Sequence, residues 1–259
     1  MKRLIYQVAV GPPCKLYEFC TASVADYATA HGITHIVQRE PILRIRPDPA
    51  TTGRSAEAVD RLGYLPIFEK ENALAYLGEF DQVAVIDADV WVRPGSPNIF
   101  DETEAQADFA CVVERDMPLT KAYERKVQNH SKAQFGELIS VEWDWNQWGA
   151  NYFNCGVMVM NASLSSFLHG QTPAEFLRRP EFKLFVDGAG PWKWSTDQTL
   201  LNWWLRRAQA HTRELPWWWN TLYGAVEPQW LDQANFVHFF LRDHLPNKGE
   251  DVAELVKTL

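Results

Sequence analysis

Hydrophobic and polar positions along the chain switch between two periods. Residues 3–10 are apolar but for Arg3 and Gln7, the pattern of a buried strand. Leu16, Phe19, Cys20, Val24 and Tyr27 then recur at helical spacing over residues 15–30, and Gly32 supplies a stop. Residues 33–37 read as a second strand. Strand, helix and strand in that order predict a parallel pair joined by a crossover. Residues 40–56, rich in Pro, Arg and Thr, read as a loop, and 57–78 as helix with Pro66 inside it. In residues 82–87, Val83 and Val85 face one side and Ala84 and Ile86 the other. All four are apolar, so both faces are covered, as in the middle of a parallel sheet.

Residues 109–113 and 156–160 read as further buried strands. Between them lies a polar, Trp-rich stretch over 114–150, with a helix at 120–138. Helices are expected over 173–179 and 196–207, the second capped by Ser195 or Thr196. A late strand at 235–239 and a helix over the last ten residues complete the pattern. No repeat, low-complexity tract or linker interrupts it. The expectation is one α/β domain over residues 1–259, with a mixed, mostly parallel sheet flanked by helices.

Composition narrows the function. Hydrophobic residues make up 46% and charged residues 22%, which is ordinary for a soluble domain. The net charge of −8 opposes nucleic-acid binding, which needs Lys and Arg against the phosphates. An acidic protein still takes a phosphorylated ligand when a metal ion supplies positive charge. The 12 tryptophans cluster at 143–148, 192–194, 203–204 and 217–219. Packing accounts for most indoles, although their faces also suit sugar rings. Cys14, Cys20, Cys111 and Cys155 show no CxxC spacing and read as buried small hydrophobes in a reducing compartment. The first strand is too short for a signal h-region, and no apolar run approaches a membrane span. Together these point to a cytoplasmic protein without a transmembrane segment. Gly11-Pro12-Pro13-Cys14-Lys15 is too stiff and Gly-poor to cradle phosphate, which argues against a nucleotidyltransferase. No Gly-x-Ser-x-Gly elbow is present.

The chemistry centres on residues 83–92, where a buried strand runs into Asp87 and Asp89. In extended chain, an i, i+2 spacing places both carboxylates on one side. Two such charges at the end of a buried strand repel unless a cation or abundant water lies between them. Ligands of open α/β sheets bind at the carboxyl ends of strands, where this pair falls. A solvated acidic turn is the plain alternative. For Asp197 the alternative is a carboxylate at a helix N-terminus, and for Gly156 a residue that eases strand packing. In Glu69-Lys70-Glu71-Asn72, the spacing reads as an exposed helix face with Lys70 paired to Glu.

Four segments carry a resemblance. Ile86-Asp87-Ala88-Asp89-Val90 is similar to the metal-binding motif of GT-A-fold glycosyltransferases. It resembles in particular the retaining family 8 group that includes glycogenin and bacterial galactosyl- and glucosyltransferases. Residues 152–161 (Tyr-Phe-Asn-Cys-Gly-Val-Met-Val-Met-Asn), residues 195–202 around Asp197-Gln198, and Trp219-Asn220 followed by Val237-His238-Phe239 match further family segments in the same order. The matches run through residues 64–248, most of the chain.

The resemblance implies a GT-A fold, with residues 1–113 as a nucleotide-binding half and 114–259 as a donor-sugar and acceptor half. It implies a metal-dependent enzyme that moves a sugar from a nucleotide-sugar donor, of the UDP class, to a glycan or other hydroxyl acceptor with retention. Asp87 and Asp89 would hold the ion together with His238, and Asp87 would also contact the ribose. An imidazole ligand favours Mn²⁺ over Mg²⁺. Asn154 and Gly156 would line the donor-sugar pocket, where a side chain at Gly156 would crowd the ligand. Asp197 would accept hydrogen bonds from the sugar, and Gln198 would sit at the anomeric carbon. Lys70 is a candidate donor contact. The family's tail glycine is here Leu241, its diphosphate lysine is displaced to Lys248, and Thr199 stands where an acid is expected. Lys248 and Arg242 are candidate phosphate contacts. The alternative is a non-catalytic nucleotide-sugar or glycan-binding protein on the same scaffold.

Overall fold

The computed structural model describes residues 1–259 except 53, 54, 104, 105, 195 and 196, and the side chains of 62, 193 and 194. The proposed Ser195 or Thr196 cap lies outside the described residues.

Strand β1 (Arg3–Val8), helix α1 (Lys15–Ala30) and strand β2 (Thr34–Gln38) form the expected parallel crossover unit. Gly32 follows α1 at φ +64°, a left-handed turn that glycine enters without strain. The helical pattern at 57–78 divides in two. Helix α2 (Ala56–Leu62) stops at Gly63, φ +73°, and Pro66 opens a 3₁₀ stretch, Pro66–Gly78. That stretch buries Phe68, Ala73, Leu74 and Leu77 and packs against β3 (Gln82–Ile86).

β4 (Val90–Val92) and β5 (Phe109–Val113) follow, then helix α3 (Lys121–Phe135). A two-residue hairpin, β6 (Trp145–Asn146) and β7 (Gly149–Ala150), leads into β8 (Phe153–Asn161). The second half adds α4 (Pro173–Leu177), α5 (Lys183–Asp187), α6 (Asp197–Arg207), β9 (Thr212–Leu215), β10 (Thr221–Leu222), β11 (Phe236–His238) and α7 (Val252–Leu255).

The main sheet has the order β2-β1-β3-β8-β5-β9. It is mixed: β8 runs antiparallel to both β3 and β5, and the other pairings are parallel. Every residue of β3, β5 and β8 is buried, which requires layers on both faces. A smaller sheet, β10-β11-β4, sits beside it. The four cysteines are free and buried, as expected. Trp91, Trp203, Trp204 and Trp219 are buried in the core, while Trp145, Trp218 and Trp230 are more than a third exposed. No helix among the described residues is long and apolar enough to cross a membrane.

Candidate active site

Strand β3 ends at Ile86 and the chain turns at once. The Val90 N–H donates to the Asp87 carbonyl at 3.1 Å, closing a tight turn over Asp87-Ala88-Asp89. The extended geometry expected for the pair is therefore absent; a turn gathers the carboxylates instead. The small sheet then supplies the third residue. β4 pairs antiparallel with β11, Val90 stands opposite His238, and the Phe239 N–H donates to the Asp89 carbonyl at 2.9 Å. This leaves His238 Nε2 3.3 Å from Asp89 Oδ1 and 3.8 Å from Asp87 Oδ2. Ligand atoms of Asp87, Asp89 and His238 all lie within 4.8 Å of one another. Two carboxylate oxygens and one imidazole nitrogen facing one point are a donor set suited to a hard or borderline divalent cation.

Lys70 departs from its expected exposed helix face. It is 7% exposed, in the 3₁₀ stretch, and its ammonium lies 3.0 Å from Asp87 Oδ1 and 2.8 Å from Asp197 Oδ2. It also donates to the Cys155 carbonyl at 3.2 Å. Its neighbours are buried too. The Glu69 carboxylate accepts from the backbone N–H groups of Ile42, Leu43 and Arg44 at 2.7–3.0 Å and so ties down the loop after β2. The regular Glu-Lys-Glu pattern hides this, because Glu69 and Lys70 each have partners distant in sequence.

Asp197 is the first residue of α6 and pairs with Lys70. Gln198 Oε1 accepts from the Cys155 N–H at 3.2 Å. On β8, Asn154 Oδ1 accepts from the Gly156 N–H at 3.1 Å, and the Gly156 carbonyl accepts from Asp87 N–H at 2.8 Å. The need for glycine at 156 has a cause within the protein. A Cβ there would lie 2.3 Å from His238 Cε1 and 2.4 Å from Nδ1. The imidazole rests against the bare Cα. Gly156→Ala is thus expected to destabilise the fold by about 1–3 kcal/mol through overpacking, read by urea unfolding. Wild-type stability would contradict that packing.

The charges are unevenly distributed. Burial raises the Asp87 pKa, with Lys70 and His238 offsetting only part of the effect. Burial acts the same way on Asp89, but His238, helped by a backbone hydrogen bond and Lys70, holds that carboxyl below its ordinary value. For His238, burial opposes a proton, yet Asp89 and Asp87 lift its pKa above the ordinary range. A proton or a cation is what the two carboxylates demand at Nε2. Burial, with Asp89 adding to it, pushes the Tyr17 phenol at the cleft wall up to about 12, so it stays a neutral donor.

Glu71 points the other way, into apolar surroundings that include Leu74, Val85, Phe109 and Leu201. Neither of its oxygens has a hydrogen-bond partner among the described residues. Burial, reinforced by Asp197, raises its pKa well above the ordinary 4.5. A carboxyl raised in the folded chain keeps a proton that the unfolded chain releases, so this group costs stability as pH rises above 4.5. Glu71→Met is expected to add about 1–3 kcal/mol by removing an unsatisfied buried group. The gain should be larger at pH 8 than at pH 5 in denaturant titrations; a loss at both pH values would contradict the assignment.

The cleft these residues enclose has a volume of about 380 Å³. Asp87, Asp89, Asn154, Gly156, Lys70, Asp197, Gln198 and His238 all line it. Lys248 does not: its side chain is 70% exposed and its ammonium faces Asp243 at 3.8 Å. Arg242 turns to the Lys248 carbonyl and toward Glu250. Among the described residues lining the cleft, Lys70 is the only lysine or arginine. Sequence reasoning passed over Tyr17, Phe240 and the backbone of Cys155, which also line it. It also gave no role to Asn220, which stands behind His238.

Solved structures share this architecture. A glycosyltransferase involved in glycosylation of the major capsid of PBCV-1 aligns over 99% of this chain and 100% of its own, with a TM-score of 0.57 and 12% identity. The galactosyltransferase LgtC, solved in complex with donor and acceptor sugar analogs, aligns over 99% and 96%, with a TM-score of 0.53 and 15% identity. Mouse xyloside xylosyltransferase 1 aligns over 95% and 100%, with a TM-score of 0.50 and 14% identity. The fold is that of the GT-A glycosyltransferases. No protein-family model and no curated protein matches the sequence itself.

Proposed function

We propose that this chain is a glycosyltransferase that moves a sugar from a UDP-class nucleotide donor to a glycan or other hydroxyl acceptor, with retention. The observation that carries the reading is the meeting of Asp87, Asp89 and His238 at one point of a cleft also walled by Lys70, Asn154, Asp197 and Gln198. Their donor atoms fit Mn²⁺, with Mg²⁺ as the alternative. When bound, such an ion neutralises the charge that grows on a departing diphosphate.

The protein's own groups supply the rest. Lys70 places a fixed positive charge beside Asp87, where it adds to the attraction for the diphosphate. Its link to Asp197 holds that carboxylate at the cleft wall, positioned to accept hydrogen bonds from donor-sugar hydroxyls. Gln198, held by the Cys155 N–H and lining the same cleft, is the side chain this reading assigns to the anomeric carbon. With retention, the departing diphosphate accepts the acceptor proton and no separate base is needed. In this reading residues 1–113 chiefly hold the nucleotide, and 114–259 shape the sugar and acceptor side. Lys70, not Lys248, is the basic residue beside the donor.

The test is a panel of nucleotide sugars assayed for release of free nucleotide with Mn²⁺ and with EDTA. Metal-dependent release from at least one donor is expected. Tight calorimetric binding of nucleotide and Mn²⁺ without turnover of any donor would favour the non-catalytic binding protein instead.

A further inference from the structure

Behind His238 lies a buried chain of side-chain amides. His238 Nδ1 is 3.0 Å from Asn220 Oδ1. Asn220 Nδ2 donates to Asn154 Oδ1 at 2.8 Å, and Asn154 Nδ2 donates to Glu114 Oε2 at 2.8 Å. Asn220 is fully buried, Glu114 and His238 are 6% and 5% exposed, and Asn154 is 9% exposed.

Amide oxygens and nitrogens are distinguished by the network they join, and this network has one fixed end. A backbone N–H can only donate, and that of Gly156 points at Asn154. Asn154 must therefore present its oxygen there, which leaves its NH₂ for Glu114. The same oxygen takes the second donor, the NH₂ of Asn220. Asn220 then has only its oxygen left for His238, so His238 Nδ1 must carry a proton. The nitrogen left to act as a ligand is Nε2, which faces Asp87 and Asp89.

We propose that Asn220 is a positioning residue that fixes the ring orientation and tautomer of His238, aiming the Nε2 lone pair at the cation site. The inference rests on the metal reading of Asp87, Asp89 and His238. Trp219 next to Asn220 gives the device its rigidity: it is fully buried and meets Phe236 edge-on at 5.2 Å between ring centroids. Gly156 supports the ring from below. A ligand held in this way spends no free energy on ordering when the ion arrives. Loss of a partner that orients a metal-binding histidine weakens metal affinity by about 10- to 100-fold.

The experiment is a double-mutant cycle on Mn²⁺ affinity, measured from the EPR signal of the free ion. Asn220→Ala is expected to weaken Mn²⁺ binding about 10- to 100-fold in the wild-type background and to have no effect in the His238→Ala background. Equal weakening in both backgrounds would mean that Asn220 acts on the fold and would overturn the proposal. Undiminished binding by Asn220→Ala, with weakened binding by His238→Ala, would overturn it while leaving the metal reading intact. Wild-type affinity in His238→Ala would remove the metal reading and the proposal together. Because Asn220 is fully buried, a measurement on the unaltered protein runs beside the cycle. In ¹⁵N-histidine-labelled protein with Mg²⁺ bound, the His238 proton should sit on Nδ1, the signal being assigned with His238→Ala. A proton on Nε2 would overturn the assignment.

Discussion

Asp89→Ala is expected to lower Mn²⁺-dependent nucleotide release on the order of 10³-fold, the scale for losing a principal electrostatic element of a transition state. The substitution removes one of the three proposed ligand atoms and the carboxylate nearest to His238 Nε2, at 3.3 Å. In the proposed site two ligands would remain, too few to hold the ion against water. The fold should survive, because the structural role of residue 89 is carried by its backbone. Its carbonyl accepts from Phe239, and the turn closes on Asp87 rather than on the Asp89 side chain. The melting temperature without metal should fall modestly, since Asp89 and His238 favour each other's charged form and the substitution removes one partner. EDTA should bring the wild-type protein down to the variant's rate and leave the variant unchanged. Near-normal, EDTA-sensitive turnover by the variant would remove Asp89 from the site.

Lys70→Met should be felt first as a loss of stability. The Lys70 side chain is 8% exposed and its ammonium serves two carboxylates, one on a side chain only 3% exposed. Taking one partner out of a buried ion pair typically costs about 3–5 kcal/mol, because the charge left behind has neither water nor counter-ion. At roughly 2–4 °C per kcal/mol for a chain of this size, the melting temperature should fall by roughly 6–20 °C. Arg cannot stand in for Lys at such a site, since a planar fork does not reach both oxygens and the Cys155 carbonyl as a compact ammonium does. A stability loss below about 1 kcal/mol, the level of an exposed pair, would contradict the burial described for Lys70.

The distance between these two sites in the sequence shows what could be read there. Helix α1 matches its expected bounds because five apolar residues repeat at helical spacing and a glycine follows. β3 and β5 stand out as short continuous apolar runs, and the Asp87/Asp89 pair is conspicuous at the end of the first. β9 went unread: its Arg213 and Glu214 are exposed and it pairs only at the sheet edge, so it lacks a hydrophobic run. β4, three residues long, was hidden inside the motif it completes.

Local periodicity is blind to contacts between distant segments. Nothing near Glu69-Lys70-Glu71 reveals that Glu69 binds a loop some 25 residues earlier, that Lys70 meets Asp197, or that Glu71 enters the core. The resemblance implies that His238 comes near Asp89, but the pairing of β4 with β11 that brings it there is not visible in the periodicity. The role of Gly156 was open in the sequence between strand packing and ligand clearance. The structure adds a third reason that neither reading named: a Cβ there would meet the imidazole of His238, while Gly156 also lines the cleft.

Diffraction from crystals grown with Mn²⁺ and UDP, recorded at the manganese absorption edge, tests the central claim most directly. One anomalous peak is expected in contact with Asp89, Asp87 and His238 Nε2, with the diphosphate beside Lys70 and within reach of the ion. UDP bound in the cleft with no manganese at those three residues, or manganese and diphosphate bound together elsewhere on the molecule, would contradict it.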